Sequence, residues 1–230
     1  MCISVFGKTE KELYKNISKA AKESHLIEVR LDYLVNPSIT TLEYISSHFS
    51  SIKFIITCRM KEFGGHFQDD VELWSELMER SIELSFNYID IDFGLIQDIN
   101  PIENLKKIKL DSSSTTQLIF SYHNFTQTPD YLDLELISNQ MAVSGADIQK
   151  FATTVSFQED LKKLAIHLSY KVSSDKYVVV GMGDNQFARQ SRIITLLLGS
   201  EWGFFCLKDN TTAPGQIDIQ TAKQLFELLI

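Results

Sequence analysis

A chain of 230 residues, 44% hydrophobic and 23% charged, can hold one large α/β domain or two small ones. A formal net charge of -8 and an isoelectric point near 5.1 exclude a general nucleic-acid binder, which needs a basic face. No apolar run approaches the ~20 residues of a membrane helix, and the strand-like start at Met1 has no signal-peptide architecture, so a cytoplasmic protein without membrane partners is expected.

Strand-like apolar runs recur roughly every 25 to 35 residues with helical patterns between them, the spacing of βα units. In chain order they are 2–6, 26–31, 54–58, 88–93, 117–122, 147–151, 177–182 and 203–207. The stretch 69–84 places Val71, Leu73, Trp74, Leu77, Met78, Ile82 and Leu84 near one helical stripe, with acids at its start. A polar run, 111–116, reads as a solvated turn before the fifth strand. The last helix, 218–230, opens on Asp218 as N-cap and carries an apolar face through Leu225, Leu228 and Leu229. Eight strands alternating with eight helical segments predict a single-domain (β/α)8 barrel over 1–230. An open doubly wound sheet shares the same alternation. Cys2, Cys58 and Cys206 are widely spaced within apolar segments and read as small buried hydrophobes. No paired Cys or His spacing calls for a metal, and no glycine-rich loop calls for a nucleotide.

In parallel barrels, chemistry belongs at the carboxyl ends of the strands. Glu28, Arg30 and Asp32 share one face of the second strand, and Arg59 follows the third, with Gly64-Gly65 beyond it. Asp90 and Asp92 lie on the fourth strand, His123 ends the fifth, Lys150 ends the sixth, and Ser191-Arg192 opens the helix after the seventh. Each has an ordinary alternative: a strand Glu-x-Arg can be a structural ion pair, a strand histidine a hydrogen-bonded core residue, a lysine a snorkelling chain. Six polar strand ends together are too costly for a purely structural barrel. A lysine in a buried strand must be paired or lose its proton, and an amine that deprotonates attacks carbonyl carbon. Arg30, Arg59 and Arg192 offer forks for an anion, and His123 can move a proton. A small anionic substrate with a ketone or aldehyde is implied.

These residues resemble the type I 3-dehydroquinate dehydratase family over nearly the whole chain. The likeness runs in register through Ile3-Ser4-Val5-Phe6-Gly7-Lys8-Thr9, Glu28-Val29-Arg30-Leu31-Asp32, Arg59 with Gly64-Gly65, Ser121-Tyr122-His123-Asn124-Phe125, Gly145-Ala146-Asp147-Ile148-Gln149-Lys150, Ser191-Arg192 and Thr212-Ala213-Pro214-Gly215-Gln216. The resemblance implies a (β/α)8 barrel, homodimeric and free of metal or organic cofactor. It would convert 3-dehydroquinate to 3-dehydroshikimate in the shikimate route to chorismate and aromatic amino acids. Lys150 would form a Schiff base and His123 would serve as general base and acid. Arg192 would hold the substrate carboxylate, Ser4, Glu28, Arg30 and Arg59 would position hydroxyls or one another, and Thr212 and Gln216 would close a lid. No fused shikimate dehydrogenase domain is expected.

Two departures stand out. The glutamate that precedes the Gly-Gly pair in the family and orients its histidine is Phe63 here, which leaves Glu62 or Asp92 for that role. The segment between Met182-Gly183 and Ser191-Arg192 is about two residues longer and brings in Arg189, a rival for the carboxylate. Two other readings share part of the pattern: an aldolase-type Schiff-base barrel, which would not need Arg192 and the lid, and a catalytically weakened barrel serving as a binding or fusion module.

Overall fold

The computed structural model describes residues 1–68, 70–99, 101–171 and 175–229. Among the described residues there are eight strands: β1 Cys2–Val5, β2 Leu26–Arg30, β3 Lys53–Thr57, β4 Tyr88–Asp92, β5 Gln117–Asn124, β6 Ile148–Thr154, β7 Tyr177–Met182 and β8 Phe204–Phe205. The helices are α1 Glu10–Ala20, α2 Ile39–His48, α3 Val71–Glu83, α4 Phe93–Ile99, α5 Ile102–Asp111, α6 Tyr131–Ser144, α7 Gln158–Ser169, α8 Gln186–Leu197 and α9 Ile219–Leu229. The sheet order is β7-β6-β5-β4-β3-β2-β1-β8. Strands follow one another in chain order without reversal, and β1 also lies beside β8. This is the order of a (β/α)8 barrel; a doubly wound sheet would reverse its winding at a switch point. The chain divides into two compact units, Ser4–Ile119 and Met1–Ile3 with Phe120–Ile230.

Local chemistry sets the helix starts. Thr9 accepts from the Glu12 amide and Glu12 answers with a bond from the Lys8 amide, a reciprocal cap for α1. Asn185 caps α8 through the Phe187 and Ala188 amides, and Asp218 caps α9 through those of Gln220 and Thr221. All three cysteines are buried thiols outside any disulfide, in keeping with small core hydrophobes.

Several boundaries move from their expected places. Two helices, not one, join β4 to β5, with Pro101 as the N-cap of α5. Strand β6 begins at Ile148 and continues to Thr154, so Lys150 is a strand-interior residue and not its last. The extra length, Ala152 to Thr154, ends on two threonines whose hydroxyls are satisfied. Thr153 bonds Thr128, and Thr154 donates to the Asn124 carbonyl at the end of β5. Strand β2 stops at Arg30, so Asp32 does not share its face but sits in the 3-10 turn Leu31–Tyr33. The last helix buries Ile219 and Ala222 and sets Phe226 against Phe205, while Leu228 is 84% exposed and Leu225 is also exposed. The stripe expected through Leu225, Leu228 and Leu229 is therefore rotated away from the core. Asp69 and Ile230, the expected ends of two helices, lie outside the described residues, as does the side chain of Leu229.

Candidate active site

In the unit Ser4–Ile119, parallel register aligns Arg30 with Thr57 and Thr57 with Asp90, so three polar side chains share one row. Glu28 is 4% exposed and accepts from Ser4 Oγ at 2.5 Å and Thr57 Oγ1 at 3.0 Å. Two neutral donors keep this buried carboxylate solvated by protein. Arg30 grips Asp32 with two bonds, Nε to Oδ1 at 2.8 Å and Nη2 to Oδ2 at 2.7 Å. Burial opposes its charge, but Asp32 and the nearby Glu28 outweigh burial and raise its pKa, so the guanidinium stays charged.

Arg59 is held by two carboxylates, Asp90 at 2.7 Å and Asp92 at 2.8 Å, and is itself buried. Asp92 also accepts from the Gly94 amide at 3.0 Å. The Gly64-Gly65 pair serves this arginine. Gly64 ends the 3-10 turn Lys61–Phe63 at φ 80°, and a side chain on Gly65 would collide with the Arg59 backbone. Phe63 packs its ring against Gly94, where a Cβ would not fit. Glu62 is exposed on the same 3-10 turn.

In the unit Met1–Ile3 with Phe120–Ile230, strand alternation fixes the lysine's direction. Phe151 packs its ring against His167 of α7, and Gln149 bonds Ser138 of α6, so these neighbours of Lys150 face the helices. Lys150 therefore points to the opposite side. Its register partner Val178 shares that side, and Phe204 does too because Phe205 meets α9. Lys150 Nζ lies 4.4 Å from the Phe204 ring centroid and the residue is 5% exposed. Tyr122 contacts Phe151 on the helix side, which places half-buried His123 on the Lys150 side of β5. Asn124 closes the strand end by accepting from the Thr126 and Gln127 amides.

Arg192 projects from α8 and is 4% exposed. It donates to the backbone carbonyls of Phe204, at 3.5 Å, and Pro214, at 3.2 Å, while its Nε has no hydrogen-bond partner. Burial lowers its pKa to about 10, leaving it a cation at neutral pH. Arg189, one turn earlier, is exposed, so the two arginines occupy different environments. The expected lid is folded back on itself. Gln216 Oε1 accepts from the Thr212 amide and hydroxyl, and Gln216 Nε2 donates to the Phe205 carbonyl at 3.1 Å.

The structure gathers Ser4, Glu28, Arg30 and Arg59 in one unit and His123, Lys150, Arg192, Thr212 and Gln216 in the other. Sequence reasoning overlooked Thr57 and Phe204. Thr57 lies two residues before Arg59 on a strand end and was findable there. Phe204 carried no such mark, because its meeting with Lys150 links residues 54 positions apart.

The Type I 3-dehydroquinase family model matches residues 1–230. A 3-dehydroquinate dehydratase of Coxiella burnetii (strain RSA 493 / Nine Mile phase I) is 31% identical over 227 residues, 99% of this chain and 92% of that protein. One of Methanococcus maripaludis (strain S2) is 30% identical over 230 residues, 100% and 99% of the two chains. Among solved structures, the type I 3-dehydroquinate dehydratase of Clostridium difficile superposes with a TM-score of 0.86 at 21% identity, covering 99% of this chain and 90% of that one. The Aquifex aeolicus enzyme gives 0.81 at 25% identity, covering 99% and 98%.

Proposed function

Since the chain belongs to the type I 3-dehydroquinase family, as a 3-dehydroquinate dehydratase of the shikimate pathway, we propose that its reaction runs through an imine on Lys150. The observation that carries this reading is the placement of Lys150: buried, interior to a strand, beside Phe204 and on the same side as His123. The Lys150 amine attacks the substrate ketone, and the resulting carbinolamine takes up a proton and loses water, giving a protonated imine. That cation draws electrons from the adjacent carbon, whose proton passes to His123. The resulting enamine expels the hydroxyl beta to the imine, which takes a proton from His123 and departs as water. Hydrolysis returns the amine and frees 3-dehydroshikimate.

Arg192 is the carboxylate clamp in this scheme, because its fork is buried and, among the described residues, forms no ion pair with an acid. Glu28, with Ser4 and Thr57 fixing its oxygens, accepts from substrate hydroxyls. Arg30, held by Asp32, and Arg59, held by Asp90 and Asp92, position substrate hydroxyls or one another. Thr212 and Gln216 close the site on a loop whose Pro214 carbonyl already holds Arg192. Glu62 and Asp92 are the two candidates for the histidine-orienting role: Asp92 is fixed at the end of β4 by Arg59 and the Gly94 amide, and Glu62 is exposed. The working unit on this reading is a cytoplasmic homodimer that needs no cofactor. No helix among the described residues is long and apolar enough to cross a membrane.

Borohydride reduction during turnover of 3-dehydroquinate tests the scheme. Mass spectrometry should find the reduced adduct on the Lys150 peptide, and none in Lys150→Ala. His123→Ala should still trap an adduct while dehydration falls by at least roughly 100-fold. An unmodified Lys150 in the active protein would overturn the imine, and normal turnover by His123→Ala would remove the histidine from it.

A further inference from the structure

The helix-facing side of β6 carries a polar cluster that the dehydration chemistry does not use. Gln149 and Phe151 flank Lys150, and both side chains are anchored to helices. Ser138 of α6 donates to Gln149 Oε1 at 2.7 Å and lies 3.0 Å from the Tyr177 hydroxyl. Lys171, just beyond α7, donates to the same Ser138 oxygen at 3.1 Å and to Glu135 at 2.7 Å. It also sits 4.6 Å from the centroid of the Tyr177 ring. On the other flank, His167 presents its ring edge-on to Phe151 at 4.6 Å and lies 2.9 Å from Glu135, an approach without hydrogen-bond geometry. Ser138, Gln149 and His167 are all buried.

Packing alone does not account for these residues. Apolar side chains of similar volume would fill the space without the cost of burying hydroxyl, amide and ammonium groups. Hydrogen bonds supply direction, which apolar contact lacks. The directed bond here ends on the residue immediately before Lys150. Because successive side chains alternate across a strand, fixing Gln149 on one side fixes the outward line of Lys150 on the other.

We infer that Ser138 and Gln149 are positioning residues for Lys150: their buried hydrogen bond pins β6 from behind and holds the amine on its line to the substrate carbonyl. The inference rests on the imine reading of Lys150. It assigns no contact with substrate to either residue.

The test is rapid-quench borohydride trapping, which reads the rate of adduct formation on Lys150, combined with steady-state kcat and KM. Ser138→Ala should slow trapping and lower kcat by about 10-fold, with KM unchanged, since reacting atoms displaced by ~1 Å lose on the order of 100-fold. Ser138→Thr keeps the hydroxyl and should restore the rate. Gln149→Leu should match Ser138→Ala, and the double variant should be no slower than either, because both remove one shared bond. Wild-type trapping rates in folded Ser138→Ala and Gln149→Leu, with only a lowered Tm, would overturn the inference and leave the imine intact. Absence of any adduct in the unsubstituted protein would overturn the imine reading first and this inference with it.

Discussion

Three arginines that look equivalent in the sequence differ in what neutralises them. Arg30 is matched bidentately by Asp32, and Arg59 is shared between Asp90 and Asp92. Among the described residues, Arg192 donates to backbone carbonyls and keeps a buried Nε without a hydrogen-bond partner. A buried cation without a carboxylate costs stability until an anion arrives, so this arginine exchanges folding energy for binding. Arg192→Met should accordingly raise KM roughly 10- to 100-fold, the worth of a charge-assisted hydrogen bond, while Tm stays level or rises. Arg192→Lys should recover only part of the affinity, because an ammonium cannot present a fork. Steady-state kinetics beside thermal melts decides this; a fall in Tm with unchanged KM would make Arg192 structural. Phe63 is a second case where position and partner matter more than residue type. Its ring fills the space over Gly94, next to the Asp92 carboxylate.

At the scale of elements, the period of the apolar pattern identified strands and helices, but neither strand length nor helix facing followed from it. Strand β6 runs past Lys150 because Thr153 and Thr154 find partners on neighbouring segments, which no local pattern reveals. Helix α9 shows the converse. Its cap was legible as Asp218, whereas its core-facing stripe runs through buried Ile219 and Ala222 and half-buried Phe226. An apolar residue every three or four positions allows two overlapping stripes, and contact with Phe205 selects one. Asp218 bonds the Gln220 and Thr221 amides and the Thr221 hydroxyl, so Asp218→Ala should cost about 1 kcal/mol. Asp218→Asn should cost much less. Urea denaturation monitored by circular dichroism measures both, and equal midpoints for the alanine variant and the unsubstituted protein would show the cap to be idle.

For the molecule as a whole, acid is the condition that its buried polar groups oppose. Burial holds His167 neutral and lowers its pKa from 6.5 to about 4, with Lys171 adding to the effect against the pull of Glu135. The unfolded chain therefore takes up a proton that the folded chain refuses. Stability carried by neutral His167 is complete above about pH 6.5 and is lost as pH falls toward 4, by on the order of 3 kcal/mol. His167→Phe, which keeps an aromatic edge against Phe151, should flatten the stability profile between those values in urea titrations at pH 7 and pH 4.5. An unchanged slope would place the acid sensitivity elsewhere. None of this was visible in the sequence, where His167 is an ordinary histidine in an amphipathic helix. By itself the sequence determined the βα alternation, the strand carrying Lys150, the His123 strand and the arginine set, because periodicity and residue chemistry are local properties. Only the tertiary structure decided which arginine lacks a carboxylate, which face of α9 is buried and what stands behind Lys150. Those outcomes depend on contacts between residues far apart in the chain, and burial gives a side chain its charge state and its cost only after the fold has formed.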